Sequence, residues 1–309
     1  MNMKKMKNMT LWIGVCMLAI IIIVMIFGPY FPHVDATLEG SRSKWGADGK
    51  IMVPKYPPSE SNLLGSDGIG VDNFSKLILG TRDTIYIIFG IAIIRYLVAI
   101  PLGLLSYRNR GYFHFLTTFW NQIFSYLPTI FSVAIIFTLP FISNNISPTR
   151  LIWAVLIVAL IEVGRAAYVI QQQTSKVSNE QYVEAGHALG LSPWRMIKSY
   201  YMPALLPEMI IYFCIDLGKI TLLIGQMGVL KIIIKVNKAI WDAGMGIRNG
   251  SIDWVSLLSD YDLRRNIYVS NFDFVLYPAA AIMFTILTFN ILGEGLRQYF
   301  NRRGNSRTI

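Results

Sequence analysis

Along the chain, six predominantly apolar stretches alternate with polar segments, at about 10–27, 84–106, 120–142, 150–170, 205–230 and 274–292. Each is close to the 20 or so residues a helix needs to cross a hydrocarbon core of about 30 Å. The polar segments differ in character. Residues 29–83 are rich in Gly, Pro and Ser and carry both signs of charge. Residues 231–273 hold Trp241, Gly244, Gly246, Trp254 and a charged run from Asp260 to Arg265. The pattern predicts an all-α integral membrane protein of six transmembrane helices with both termini on one side. Its expected divisions are a tail and first span over 1–28, an external loop over 29–83, a five-helix core over 84–296 and a tail over 297–309.

The segment after the fourth stretch reads as two short helices joined by a tight turn. Ser178 and Gln181 have the spacing of a capping box, and Tyr182, Ala185, Gly186 and Leu189 then share one face of a helix running to Leu189. Gly190 suits the left-handed position that closes a helix. Ser192 is placed to cap the second helix and Pro193 to begin it, where no amide hydrogen is missed. Pro203 forbids simple continuation.

Composition supports a membrane setting. Of 309 residues 54% are hydrophobic and only 15% charged, with mean hydropathy +0.47, which excludes an ordinary soluble domain. The net charge of +10 would suggest nucleic acid as a partner of a soluble protein; here it fits basic flanks beside anionic membrane lipid, with no nucleic acid implied. Lys4, Lys5 and Lys7 precede an uncharged run from 9 to 34, longer than a signal-peptide core and without a small-x-small cleavage site, so a retained first helix is expected. With six spans and the N-terminus in the cytosol, the Lys4–Lys7 cluster, Arg108 and Arg110, Lys176, Arg195 and Lys198, and the basic tail from Arg297 to Arg307 all lie inside. The external 231–273 segment holds six Lys and Arg against five acidic residues, so the topology rests mainly on the span count. Cys16 and Cys214 sit in separate apolar runs and indicate no disulfide framework. His33, His114 and His187 share no ligand-like spacing, so no metal site is expected.

Polar residues inside apolar spans are expensive and mark either interhelical contacts or a pathway. Arg95, Asn121, Gln122, Glu162, Asp216, Lys219 and Asn290 are the candidates. Arg95 lines a pathway or pairs with an acidic residue. Glu162 and Arg165 stand three apart, as do Asp216 and Lys219, so each pair can neutralise itself on one helix face.

Three ordered motifs carry a resemblance. Glu184-Ala185-Gly186, then Gly190, then Tyr200-Tyr201-Met202-Pro203 resembles the EAA loop of ABC-importer permeases, with Gly186, Tyr200 and Met202 substituted. Gly65, Asp67, Gly70, Asp72, Phe74, Ser75, Gly80 and Arg82 match the ordered pattern near the start of oligopeptide/dipeptide/nickel (OppC/DppC-like) permeases, from which Ser66 and Val71 depart. The stretch from Tyr277 through Asn290, Gly293 and Glu294 to Arg297 is similar to the closing helix of that family. The resemblance implies a type I ABC-importer permease fold in a bacterial cell membrane, with a cytosolic coupling loop over 176–205. It implies ATPase-coupling roles for Tyr182, Glu184, Ala185, Gly186, Gly190, Ser192, Pro193, Trp194, Arg195 and Pro203, with Tyr182 and Trp194 as anchors. It implies as partners a second homologous permease, two ATP-binding subunits and an extracytoplasmic substrate-binding protein. Two departures, the absence of a Pro-x-x-Gly-x-Met segment in 231–273 and Asn301-Arg302 where the family tends to have Asp-Pro, bear on the external surface and the substrate class.

The chain has no Gly-x-x-x-x-Gly-Lys-[Ser/Thr] phosphate loop, no Gly-x-Ser-x-Gly and no paired catalytic carboxylates outside the spans. The expectation is therefore a non-enzymatic permease subunit without a cofactor of its own, ATP and Mg being bound on partner subunits. Its cargo class is an oligopeptide or a related small solute such as nickel, a metal chelate or an opine. An ATP-independent secondary transporter or channel is the competing reading; it would show internal inverted repeats, which the sequence lacks.

Overall fold

A computed structural model describes residues 9–40, 43–45, 51–60, 62–67, 70–108, 110–143, 149–232, 234, 237–241, 244–248, 252–259 and 272–305. Lys4, Lys5 and Lys7, the run from Asp260 to Arg265, Arg307 and the side chain of His187 lie outside the described residues.

Helix α1 (Met9–Phe27) is apolar on every side and buries only Gly14 and Ile21. It leans on the final helix α12 (Phe272–Asn305) where two glycines let the backbones meet: a Cβ on Gly14 would sit 2.8 Å from Leu292 Cα, and one on Gly295 2.6 Å from Leu11 Cα. Between α1 and the next long helix lie a 3₁₀ turn (Gly28–Tyr30) and a small antiparallel pair, β1 (Lys44–Trp45) with β2 (Ile51–Met52).

Helix α2 (Asn73–Leu105) begins well before Thr84, where the apolar stretch starts. The reason is a strong cap. Asp72 Oδ2 accepts from Ser75 N at 2.7 Å and from Ser75 Oγ at 2.6 Å, while Ser75 Oγ accepts from Asp35 N at 2.8 Å. Asp67 accepts from Val71 N at 2.8 Å through Oδ1 and pairs with Lys76 through Oδ2, and Gly65 (φ 68°) and Gly70 (φ 84°) turn the chain into this knot. Thus the motif around Gly65 to Ser75 is a helix start, and Lys76, Arg82 and Asp83 belong to a polar outer end of the helix.

The third stretch is not one straight span. Helices α3 (Tyr112–Ser125) and α4 (Thr129–Thr138) meet at 87°. Pro128 has no amide hydrogen to continue α3 and takes an extended ψ of 133°; Leu139, held extended (ψ 137°) by the following Pro140, ends α4, and α5 (Pro140–Ser143) follows. The fourth stretch is α6 (Arg150–Ile161) and α7 (Val163–Ser178), which together form one span articulated at Glu162. Among the described residues four helices are long and apolar enough to cross a membrane, five if the bent α3–α4 pair counts as one, where the pattern of apolar stretches predicts six.

After α7 come α8 (Gln181–Ala188), α9 (Pro193–Met196), a turn of π-helix (Ile197–Tyr201) and α10 (Met202–Val229). A hairpin of β3 (Asn237–Trp241) and β4 (Gly244–Arg248) precedes the short helix α11 (Trp254–Leu258). The main core joins α2, α4, α6 and α10 through Ile88, Ile91, Val133, Val158, Ile220 and Ile224. A second core under the α8–α9 hairpin contains Ala99, Val163, Ala167, Val183, Met196 and Tyr201.

Helix α11 is buried along its whole length. It repeats the cap of α2: Asp253 accepts from Ser256 N at 2.9 Å and Ser256 Oγ at 2.6 Å. Trp254 donates through Nε1 to Leu77 O and through its amide to Thr84 Oγ1, both at 2.9 Å, so α11 is fastened to α2. The docking requires Gly80, because a Cβ there would lie 2.0 Å from Ile252 O. Gly80→Val is expected to cost about 1–3 kcal/mol through overpacking against backbone. Thermal unfolding in detergent should show a lowered midpoint, and limited proteolysis new cleavage around 252–259; unchanged stability and cleavage would contradict the docking.

Candidate functional site

The α8–α9 hairpin is built differently at its two ends. Ser178 is the last residue of α7 and donates to Ser175 O at 2.7 Å, so the capping box with Gln181 does not form; the Glu180 carbonyl receives Glu184 N at 3.1 Å instead. Helix α7 outcompetes the box because it runs on past the apolar stretch and takes Ser178 into its own last turn. At the other end Gly190 has φ 70°, and Leu191 N bonds Gly186 O at 3.3 Å across the turn, a Schellman closure. Ser192 is extended (ψ 151°) and caps α9 with its backbone carbonyl, which accepts Met196 N at 3.0 Å; its side chain makes no cap bond.

Pro203 does not end the helical path. The chain is helical from Pro193 through the π-turn into α10, with Met202 N bonded to Ile197 O and Pro203 placed in the first turn of α10. Proline is tolerated in a first turn, and the wider π-turn absorbs the bond that residue 203 cannot donate.

Val183, Met196 and Tyr201 point inward and are fully buried. Gly186 is buried against Met196 and Tyr200; a Cβ would come within 3.0 Å of Met196 Sδ and 3.1 Å of Tyr200 Cζ. Tyr182 stacks on Tyr200, ring centroids 6.2 Å apart at 12°. Partial burial, with the nearby Glu180 charge second, raises the Tyr182 hydroxyl above its ordinary pKa, so it stays neutral. On the outer surface Leu189 is 76% exposed, Trp194 74% and Tyr182 48%, and Glu184, Ala185, Ser192, Pro193, Arg195 and Pro203 are also exposed. Three large apolar side chains are thus grouped in the open around the Gly190 turn.

A second cluster lies among the helices. Arg95 on α2 is 2% exposed; its Nη1 donates to Asp216 Oδ2 on α10 at 2.8 Å and its Nη2 to Val158 O on α6 at 3.3 Å. The articulation at Glu162 supplies that carbonyl. The Glu162 amide bonds Leu160 O and not Val158 O, and Trp120 Nε1 also donates to Leu160 O at 3.1 Å, so side chains satisfy the broken end of α6. Glu162 pairs with Arg165 at 3.3 Å, as its spacing suggests, and accepts from Thr129 Oγ1. The local Asp216–Lys219 pair does not form. Arg95, buried in mid-helix, claims Asp216, and Lys219 makes no ion pair among the described residues.

Glu162, Asp216 and Lys219 line one cavity of about 100 Å³ together with Arg165, Tyr96 and Tyr212; Arg95 stands behind Asp216. Asn121, Gln122 and Asn290 are not brought there. Asn121 accepts from Ser125 Oγ at 2.9 Å, its backbone lying where a Cβ on Gly164 would be 2.5 Å away; Gln122 is exposed on α3; Asn290 sits on α12 against Gly218. Sequence reasoning missed Tyr96 and Tyr212 and assigned Arg165 only as a partner of Glu162. The signal for Tyr212 was its spacing of four and seven from Asp216 and Lys219, one helix face. Among the described residues no group of three His, Cys, Asp or Glu is placed to hold a metal ion.

Residues 99–305 match the family described as "Binding-protein-dependent transport system inner membrane component". The chain is 21% identical to the probable D,D-dipeptide transport system permease protein DdpC of Escherichia coli (strain K12), covering 94% of this chain and 86% of that protein. It is 22% identical to the dipeptide transport system permease protein DppC of Alkalihalophilus pseudofirmus, over 94% and 85%. It is 21% identical to the glutathione transport system permease protein GsiD of Pectobacterium atrosepticum, over 78% and 72%.

The Arg95–Asp216 contact makes a sharp stability prediction. Arg95→Leu or Asp216→Leu alone leaves a buried charge without its partner and should cost about 3–5 kcal/mol, whereas the double variant should recover most of that. Unfolding of detergent-solubilised protein checks this; additive losses in the double variant would contradict the pairing.

Proposed function

Because this chain belongs to the family of binding-protein-dependent transport system inner membrane components, we propose that it is the membrane-spanning permease subunit of an ATP-driven importer of short peptides. It is a multi-pass membrane protein of bacteria. In this reading α1, α2, the bent α3–α4 pair, α6–α7, α10 and α12 are six spans of a type I permease, with both termini and the α8–α9 hairpin in the cytosol. The chain itself is non-catalytic. ATP and Mg are bound and ATP is hydrolysed on two partner subunits, a second permease completes the pathway, and an extracytoplasmic binding protein delivers the cargo.

The observation that carries the proposal is the hairpin, with Tyr182, Leu189 and Trp194 exposed around the Gly190 turn. These three fill a groove on an ATP-binding subunit, and Glu184 and Arg195 fix their register. Val183, Met196 and Tyr201 bind the hairpin to the body of the protein, so it moves as a unit. Because the helical path is continuous from Pro193, a displacement passes into α10 and reaches Asp216, about 21 Å from Met202 at 1.5 Å per residue. There it acts on the junction of α2, α6 and α10, and a small sliding of packed helices switches the pathway between outward and inward openings. The relatives are named for dipeptides, D,D-dipeptides and glutathione, all peptide-like, which favours short peptides over nickel, metal chelates or opines as cargo.

Glu184→Lys reverses a charge on the exposed face, and Gly190→Pro imposes φ near −65° where the turn needs 70°. Each is expected to abolish ATP-driven uptake by the reconstituted transporter while membrane insertion, followed by membrane fractionation, stays intact. Normal uptake in either variant would remove the coupling assignment.

A further inference from the structure

The cavity between α2, α7 and α10 has an unbalanced charge. Arg95 and Asp216 cancel, Glu162 and Arg165 cancel, and Lys219 remains, exposed at the wall and without an ion pair among the described residues. Cationic side chains within membrane-spanning helices are normally partnered. The neighbouring donors point the same way. Tyr212 already accepts Gln173 Nε2 at 3.2 Å, which leaves its own hydroxyl proton to donate. Arg165, 45% exposed, spends one nitrogen on Glu162 at 3.3 Å, and a guanidinium carries five donors in all.

Resting on the permease reading above, we propose that Lys219, with Tyr212 and Arg165, forms a transient binding site for the carboxylate terminus of the transported solute. One excess positive charge matches one carboxylate. A doubly charged phosphate would face Glu162 and Asp216 across the same small space. The cavity of about 100 Å³ opens to the surface where Lys219 and Arg165 are exposed, so a carboxylate can enter while the rest of the solute stays outside; the site reads the end of the cargo and tolerates differing side chains. Lys219 also stands one helical turn from Asp216, so a carboxylate arriving there changes the field at the Arg95–Asp216 contact, at the junction where hairpin motion would be felt.

The test uses the complete transporter with its binding protein, reconstituted in vesicles, and measures ATP-driven uptake of di-, tri- and tetra-alanine, each as free acid and as C-terminal amide. The acid-to-amide uptake ratio, compared between wild type and Lys219→Gln, cancels any discrimination made by the binding protein, which is common to both. The ratio is expected to fall about tenfold in Lys219→Gln, the scale of one charge-assisted hydrogen bond, and equally in Lys219→Ala, while Lys219→Arg retains it. A ratio unchanged in Lys219→Gln and Lys219→Ala overturns the inference. So does loss of the second permease from the purified variant complex, which would show that Lys219 is neutralised by that subunit. If the wild-type complex takes up no member of the series, the peptide-import reading falls and this site with it; uptake with an unchanged ratio removes the site alone.

Discussion

A guanidinium among apolar helices must keep its partners, because an isolated buried charge costs several kcal/mol or more. Arg95 meets that demand with one carboxylate and one carbonyl drawn from two other helices, Asp216 on α10 and Val158 on α6. Much else follows from it. The articulation at Glu162 exists where a free carbonyl is needed, Lys219 loses the partner nearest to it in sequence, and α2, α6 and α10 are held in one register. A dry apolar junction of the same shape could be as stable. The ionic one adds a geometry that changes when a charge nearby changes.

The hairpin supplies a second constraint. Its inner face belongs to the core and its outer face holds large apolar side chains in the open, so it is rigidly mounted yet unfinished as a surface. The π-turn matters here. A helix that stopped at Pro203 would decouple the hairpin from α10, whereas the widened turn keeps one helical path from Pro193 to Val229. The second helix of the hairpin and the Asp216 and Lys219 wall of the charged cavity therefore lie on one helical path.

Local chemistry in this chain was legible from residues alone. Gly190 in the left-handed region, Pro193 opening α9 and the Glu162–Arg165 pair all follow from short-range rules. What was not legible depends on competition or distance. Ser178 has the right spacing for a capping box, but α7 reaches it first. Asp216 has a lysine three residues away and takes an arginine 121 residues away, because burial of Arg95 outweighs proximity. The bend at Pro128 was signalled by the proline, but an apolar run reads the same whether straight or folded at 87°. The early start of α2 was missed because hydropathy ends at charged residues while Asp72 and Ser75 begin a helix regardless of them. Asp253 and Ser256 carry the same signature in the segment that looked like an external loop.

As the proposed permease subunit, this chain works only as part of an ATP-driven assembly, and the composition of that assembly in native membranes is the most direct test. A tagged copy purified in mild detergent, with every co-purifying protein identified by mass spectrometry, should bring down two ATP-binding subunits, or one in double copy, and a second permease. Recovery of the chain alone, or as a homo-oligomer without an ATPase, would contradict the account.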